Sequence, residues 1–272
     1  MKATALLHSR YSPIVIALSI IAVAASMPAH AQDGRQDDGE RRTRIALGPQ
    51  LVPAYPGADG LVLRPLIDFS RADAGDDFAF EAPDESIGFS LFRTGDLSFG
   101  PSANFEGERS SGDVGGLLPE VGFTFEIGGF AQYQATDNLR FRADARQAIN
   151  GHDGFITVLG ADFVQRDGDD HVFSIGPRVT LTDGNYQSAY FGVDPQDAAI
   201  SGLPAYDADG GLQAVGVTAG YIQQFSPKWG LYSYAKYERL VGDAEDSPVT
   251  ALFGSKDQVS GGVALSYTFG VD

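Results

Sequence analysis

Asp257 to Phe269 constrains this chain more than any other stretch. Val259, Gly261, Val263, Leu265, Tyr267 and Phe269 share one face, and Gln258, Ser260, Gly262, Ala264, Ser266 and Thr268 share the other. Side chains alternate along a strand, so the pattern predicts a strand with one apolar face and one small, polar face. A soluble sandwich would bury the apolar face in a core. A membrane barrel would turn Val263 and Leu265 to lipid, place Tyr267 and Phe269 at an interfacial girdle, and line its interior with the polar face. The segment is long enough for a tilted membrane strand, which needs about 9–11 residues. The alternation alone does not choose between the two folds. The barrel alternative predicts that Val263→Arg is more damaging than Ser266→Arg, which faces the lumen.

The N-terminus carries the features of a removable export signal. Lys2 and Arg10 make it basic, Ile14–Ala25 is apolar, and Ala29-His30-Ala31 fits a cleavage site, which predicts a signal peptide over residues 1–31. No later run reaches the roughly 18 apolar residues of a transmembrane helix, which leaves a soluble exported domain or a barrel. Beyond residue 31 the chain keeps 17 of its 19 Lys+Arg and all 36 Asp+Glu, a formal charge of 17 − 36 = −19. That balance argues against nucleic acid as a partner. There is no cysteine, so no disulfide supports the fold. Residues 32–43 (QDGRQDDGERRT) have no apolar period and read as a flexible lead-in, and residues 44–272 read as one all-β domain.

Twelve strand-like segments follow: Arg44–Pro53, Leu61–Ser70, Asp77–Glu81, Ile87–Phe92, Leu97–Phe105, Glu120–Gln134, Leu139–Ala148, Phe155–Gln165, His171–Leu181, Leu212–Phe225, Trp229–Leu240 and Asp257–Phe269. A count of ten is the alternative if the pair Asp77–Glu81 and Ile87–Phe92 is discounted. In Leu139–Arg146, Arg140, Arg142, Asp144 and Arg146 share one face, which suits either a solvated sheet face or a water-filled lumen. The connections decide. Arg93–Asp96, Thr136–Asn138, Arg166–Asp169 and Ser226–Lys228 have tight-turn chemistry. They alternate with Glu106–Pro119, Asn150–Asp153, Asp183–Gly211 and Val241–Lys256, most of them longer. Short turns at one end and long loops at the other are the asymmetry of a bacterial barrel, with the short turns periplasmic. The prediction is an antiparallel up-and-down transmembrane β-barrel.

The long loops are predicted to be ordered. Tyr55-Pro56-Gly57 suits a type II turn. Asp194-Pro195 reads as a helix start and Gly202 as its left-handed end. Three connections, taken together, carry a resemblance. They are Tyr55-Pro56-Gly57-Ala58-Asp59 with Pro65; Tyr190-Phe191-Gly192-Val193 through Ser201-Gly202-Leu203-Pro204-Ala205-Tyr206 to Gly211-Leu212; and Arg239–Ala244, containing Gly242, Asp243 and Ala244, with Asp246-Ser247-Pro248-Val249. Followed by a strand ending Ser266-Tyr267-Thr268-Phe269, they resemble the MltA-interacting protein (MipA)/OmpV family of outer-membrane proteins. The resemblance implies a non-enzymatic outer-membrane barrel that binds a lytic transglycosylase and a penicillin-binding protein, in contact with membrane lipid and lipopolysaccharide. It also admits a small-solute porin, an osmotic-response protein or an adhesin. It transfers no catalytic residue, cofactor or metal ligand. The chain departs from such barrels in continuing past its last aromatic residue with Gly270-Val271-Asp272. All three motifs fall at the long-loop end, whereas murein enzymes lie in the periplasm; either the loops fold inward or they serve the barrel itself.

Other sites read as ordinary chemistry. The only two His after residue 31, His152 and His171, are expected to be solvated. There is no G-x-S-x-G. Asp207-Ala208-Asp209-Gly210 is half a calcium loop and fits an acidic turn better. Asp243, Glu245 and Asp246 have the chemistry to bridge divalent cations to lipopolysaccharide, but acidic loops are common. Tyr232, Tyr234 and Tyr237 near Trp229 read as girdle or wall residues. In a channel, Arg140, Arg142 and Arg146 would line the lumen and favour anions.

Overall fold

The computed structural model describes residues 41–271, so the expected signal peptide and residues 32–40 of the lead-in lie outside it. Its strands are β1 (Arg42–Pro53), β2 (Leu61–Ala72), β3 (Ile87–Gly88), β4 (Phe92–Thr94), β5 (Leu97–Glu106), β6 (Thr124–Thr136), β7 (Leu139–Ala148), β8 (Phe155–Asp167), β9 (His171–Thr182), β10 (Gly211–Gln224), β11 (Trp229–Leu240) and β12 (Asp257–Phe269). All pairings are antiparallel, in the order β2-β1-β12-β11-β10-β9-β8-β7-β6-β5-β3, with β4 also on β5. This is the all-β, up-and-down barrel that the sequence predicts, with twelve strands. β1 begins two residues inside the expected lead-in. No helix of the described residues is long and apolar enough to cross a membrane.

The alternation in each strand sorts side chains into two populations. On β12, Val263 is 51% exposed and Leu265 49%, whereas Ala264 is 2% and Ser266 1% exposed. Leu47 pairs with Leu265 on β12 and with Ile67 on β2, extending an apolar outer belt. Trp229, Tyr267 and Phe269 cluster edge-to-face at one end of that belt, with centroids 4.7 Å apart in each pair. The turns 94–97, 136–139, 167–171 and 224–229 share that end, here the turn end. Four short helices lie at the other, the loop end: α1 (Gly184–Phe191), α2 (Pro195–Ser201), α3 (Gly242–Asp246) and α4 (Pro248–Phe253). Asp194 precedes α2 without a side-chain cap bond, and Gly202 closes it at φ 76°. The other three helices and the 3-10 turn Ser111–Val114 are not legible in the sequence.

The sheet departs from the expected pattern at one place. No pairing joins β2 to β3, β4 or β5 among the described residues. Those edges meet at the loop end through side chains: a Cβ on Gly107, just after β5, would lie 2.1 Å from Arg64 Nη2 of β2, which itself donates to Ala54 O at 2.8 Å. The expected strand Asp77–Glu81 does not form. Phe78 and Phe80 do alternate with Asp77, Ala79 and Glu81, but an alternating pattern marks extended backbone, not a hydrogen-bonded neighbour. The expected strand Ile87–Phe92 is broken into β3 and β4. The chain enters the barrel at this edge: residues 73–77 are exposed at the turn end, and residues 78–86 run through the interior.

Candidate functional site

The interior segment climbs from the turn end to mid-barrel. Phe78 is 2% exposed. Its backbone N–H donates to Asp169 Oδ1 at 3.1 Å, and its carbonyl accepts from Arg166 Nη1 at 3.1 Å. The guanidinium groups of Arg42 and Arg44 lie over its ring at 4.9 and 4.5 Å, within cation–π range. A cavity of about 10 Å³ remains between Phe78, Asp68, Arg44, Arg166 and Tyr232, about the smallest space that admits one water. Higher up, Phe80 O accepts from Arg140 Nη1 at 3.0 Å, and the Arg140 guanidinium covers the Phe80 ring at 4.5 Å.

Asp84 and Glu85 then meet cations on opposite sides. Arg178 Nε and Nη2 both donate to Asp84 Oδ1, at 3.2 and 3.0 Å, and Nε also to Oδ2 at 3.0 Å. Thr218 Oγ1 donates to Asp84 Oδ2 at 2.8 Å, and Lys236 Nζ lies 3.5 Å from the same oxygen. Glu85 pairs with Arg140 and lies 3.5 Å from Arg142. Asp162 joins the two groups, taking Arg140 Nη2 at one oxygen and Arg178 Nη2 at the other, each at 2.7 Å. Ser86 donates to Asp144, which also accepts from Ser102 Oγ at 3.0 Å and Arg146 Nη1 at 2.7 Å. The segment thus bridges β7, β9, β10 and β11 across the interior. Within this belt Asp84, Glu85, Asp144 and Asp162 each meet at least one cation, as a low-dielectric interior favours.

Arg140, Arg142 and Arg146 all point inward, but none faces open solvent. Arg140 is 1% exposed, and Arg142 lies 3.7 Å from the centre of the Phe130 ring. Arg146 Nε donates to Glu126 Oε2 at 2.8 Å. Glu126 also accepts from Asn104 Nδ2 at 3.2 Å and lies 3.1 Å from His152 Nε2. The expectation of a solvated His152 is therefore corrected: it is 3% exposed, because its ring turns inward from an otherwise exposed 150–153 loop and packs against Tyr186 and Tyr190. His171 is half-buried at the start of β9. The tyrosines divide by parity: Tyr232 and Tyr234 face inward, while Tyr237 and Trp229 are on the outer face.

The three loop motifs interlock at the loop end. Tyr55, Tyr186, Tyr190, Phe191, Ala208, Leu240 and Ala244 form one buried cluster. Gly57 adopts φ 89° in a Tyr55–Ala58 turn closed by a 3.0 Å bond, and a Cβ there would lie 2.8 Å from the Phe191 ring. Ser247 Oγ donates to Phe191 O at 2.6 Å, and Tyr206 OH to Asp243 O at 3.0 Å. Gly192 ends α1 with its N–H on Ser188 O. Ser201 Oγ donates to Asp197 O at 2.6 Å, Leu203 is buried, and Pro204 and Pro248 lead the chain around α2 and into α4. Asp209 N donates to Asp243 Oδ2 at 2.8 Å, a loop tie rather than a calcium loop, and the described residues hold no cluster of metal-ligating side chains. At α3, Lys256 Nζ lies 3.1 Å from Glu245 and, with Arg239, holds that carboxyl below its ordinary range. The motifs build a lid over the barrel, and Tyr190 among them packs against His152.

The sequence reading missed the residues of the interior belt other than Arg140, Arg142 and Arg146. Asp162 and Arg178 each stand as a charge among mostly apolar or small inward residues of their strands, which is the available signal; Lys236 shares its inward face with Tyr232, Tyr234 and Glu238 and stands out less. Asp84 and Glu85 carry no signal of their own, since acids next to a proline read as a surface turn.

The family described as "MltA-interacting protein MipA" matches residues 45–269. No curated protein matches. Solved structures that are similar include an outer membrane channel from Pseudomonas putida F1, at 11% identity over 88% of this chain and 100% of that one, with a TM-score of 0.42. The NanC porin matches at 9% identity over 83% and 98%, with a TM-score of 0.38. The outer membrane channel DcaP of Acinetobacter baumannii matches at 9% identity over 88% and 100%, with a TM-score of 0.37.

Proposed function

The chain belongs to the MltA-interacting protein MipA family, and from that premise we propose that it is a non-enzymatic outer-membrane barrel that anchors murein-cleaving and murein-building enzymes at the cell envelope. The observation that carries this reading is the segment laid through the interior, which obstructs it although Ala79 and Glu81 stay exposed. Residues 78–86 are held across the barrel by Asp84 and Glu85, and the three family motifs form a lid above them. A barrel obstructed in this way suits anchoring better than free diffusion. On this reading the motifs stabilise the loop end, and the partner surface is the turn end, where Asp73, Asp96, Asp137 and Asp167 are exposed. The outer belt around Leu47, Val263 and Leu265 contacts lipid, and the acidic loop end faces lipopolysaccharide. The test is affinity purification of the tagged chain from detergent-solubilised envelopes. Enrichment of a lytic transglycosylase and a penicillin-binding protein over an unrelated barrel is expected; equal recovery from both baits overturns the scaffold.

A small-solute channel is the second reading. It is favoured by the inward Arg140, Arg142 and Arg146 and by the noncovalent hold on the segment. It predicts anion-preferring steps of conductance in planar bilayers, and a silent trace at all voltages removes it.

A further inference from the structure

The interior segment presents two adjacent carboxylates to two cation cages that share a wall residue. One cage is Arg178, Lys236 and Thr218 around Asp84; the other is Arg140 and Arg142 around Glu85. Asp162 bonds to both, so the cages are separated by no more than two hydrogen bonds and the width of one carboxylate. We propose that the paired cages are a binding site for a small dicarboxylate, and that Asp84-Glu85 is its tethered occupant.

Three observations support this. First, Arg178 meets Asp84 through two nitrogens of one guanidinium, the fork geometry that matches a planar carboxylate. Second, the cages belong to the wall. Arg140 is 1% and Arg178 4% exposed, and both are oriented by Asp162, so they keep their aim whether or not the segment is present. Third, the segment has no strand neighbour along residues 73–86 and enters where the sheet edge is unpaired. No ladder holds it: Phe78 is fixed by Asp169, Arg166, Arg42 and Arg44 at its lower part, and Asp84 and Glu85 fix its upper part through the cages.

The energetics favour exchange over simple opening. Without Asp84 and Glu85, Arg140 and Arg178 would share the single carboxylate of Asp162, an excess of buried positive charge that a low-dielectric interior disfavours. The segment therefore leaves when another anion of matching geometry takes its place. A tethered group acts at an effective concentration in the millimolar range, so the free anion must be supplied at millimolar levels or above. This inference does not depend on the scaffold reading: co-purification of murein enzymes is untouched by its failure.

The probe is disodium succinate, with dimethyl succinate as its uncharged counterpart and sodium chloride at matched ionic strength. The first measurement uses the unaltered chain in detergent micelles and follows chymotryptic cleavage after Phe78 and Phe80. Succinate is expected to accelerate cleavage at least tenfold over sodium chloride, and dimethyl succinate to have no effect. Equal rates in all three solutions, or equal acceleration by the ester, overturn the proposal. The second measurement is calorimetric titration of succinate into Asp84→Asn/Glu85→Gln, with retained heat-dependent gel migration as the check of folding. That variant is expected to bind succinate at least tenfold more tightly than the unaltered chain, and to lose this gain when Arg178→Gln is added. A folded variant that binds no more tightly, or whose binding ignores Arg178→Gln, overturns the proposal. If the variant does not fold, the cleavage experiment decides alone.

Discussion

Val263→Arg tests the face assignment on which the membrane reading depends. Val263 is the seventh of the thirteen residues of β12, with six on either side, so it sits at mid-strand. Its side chain is 51% exposed on the outer face and pairs with Ser233 of β11. An arginine on the lipid face of a barrel costs about 2–4 kcal/mol at the bilayer midplane, or about a 30- to 700-fold drop in the folding equilibrium. The same substitution on a solvated sheet face falls within about 0.5 kcal/mol of zero. The comparator must be inward and roomy. Ser266, the inward position that the sequence suggests, is unsuitable: it is 1% exposed, and its Oγ would lie 2.7 Å from a Cβ on Gly230. Arginine there would overpack, so the expectation that Ser266→Arg is the milder change is withdrawn. Ser260 is inward and half-buried and serves instead. The assay is urea unfolding in lipid vesicles, followed by the fluorescence of Trp229, the only tryptophan of the chain. Val263→Arg is expected to lose about 2–4 kcal/mol and Ser260→Arg clearly less. Equal losses, or a Val263→Arg loss below about 0.5 kcal/mol, refute the face assignment.

Two further outcomes are expected. Asp162→Asn removes the carboxylate shared by Arg140 and Arg178. Breaking a buried pair costs about 3–5 kcal/mol, and because Glu85 and Asp84 remain as partners the loss should fall at or below the lower end of that range in the same unfolding assay; no measurable change would show that the interior belt does not support the barrel. Gly57→Ala places a Cβ at φ 89° and 2.8 Å from the Phe191 ring, so it should loosen the lid and speed hydrogen exchange in Gly184–Phe191 without altering exchange in β12; unchanged exchange in both would refute the motif packing.

The barrel was legible because its strands obey a local rule. In Asp257–Phe269 and Leu139–Ala148 the alternation gives strand, face and boundaries, and the observed elements have those bounds. The lid helix Pro195–Ser201 was legible for the same reason, since Pro195 and Gly202 act on their own backbone. Residues 73–86 were not. Phe78 and Phe80 alternate as strand residues do, yet their partners are guanidinium groups of Arg42, Arg44 and Arg140, up to 60 positions away in the chain. Likewise His152 looks like a loop residue, and its burial depends on Glu126 and Tyr186, which no local pattern brings together. Charges that meet across a barrel interior leave only isolated interruptions in each strand.

A heat-modifiability gel on separated inner and outer membranes tests the central claim most directly. A folded barrel, its strands from β2 round to β5 paired in one continuous antiparallel sheet, resists detergent until boiled. The account predicts a band in the outer membrane that migrates faster unboiled than boiled. A soluble band with no heat shift would contradict it, and the apolar faces of β1, β2 and β12 would then have to meet each other in a sandwich.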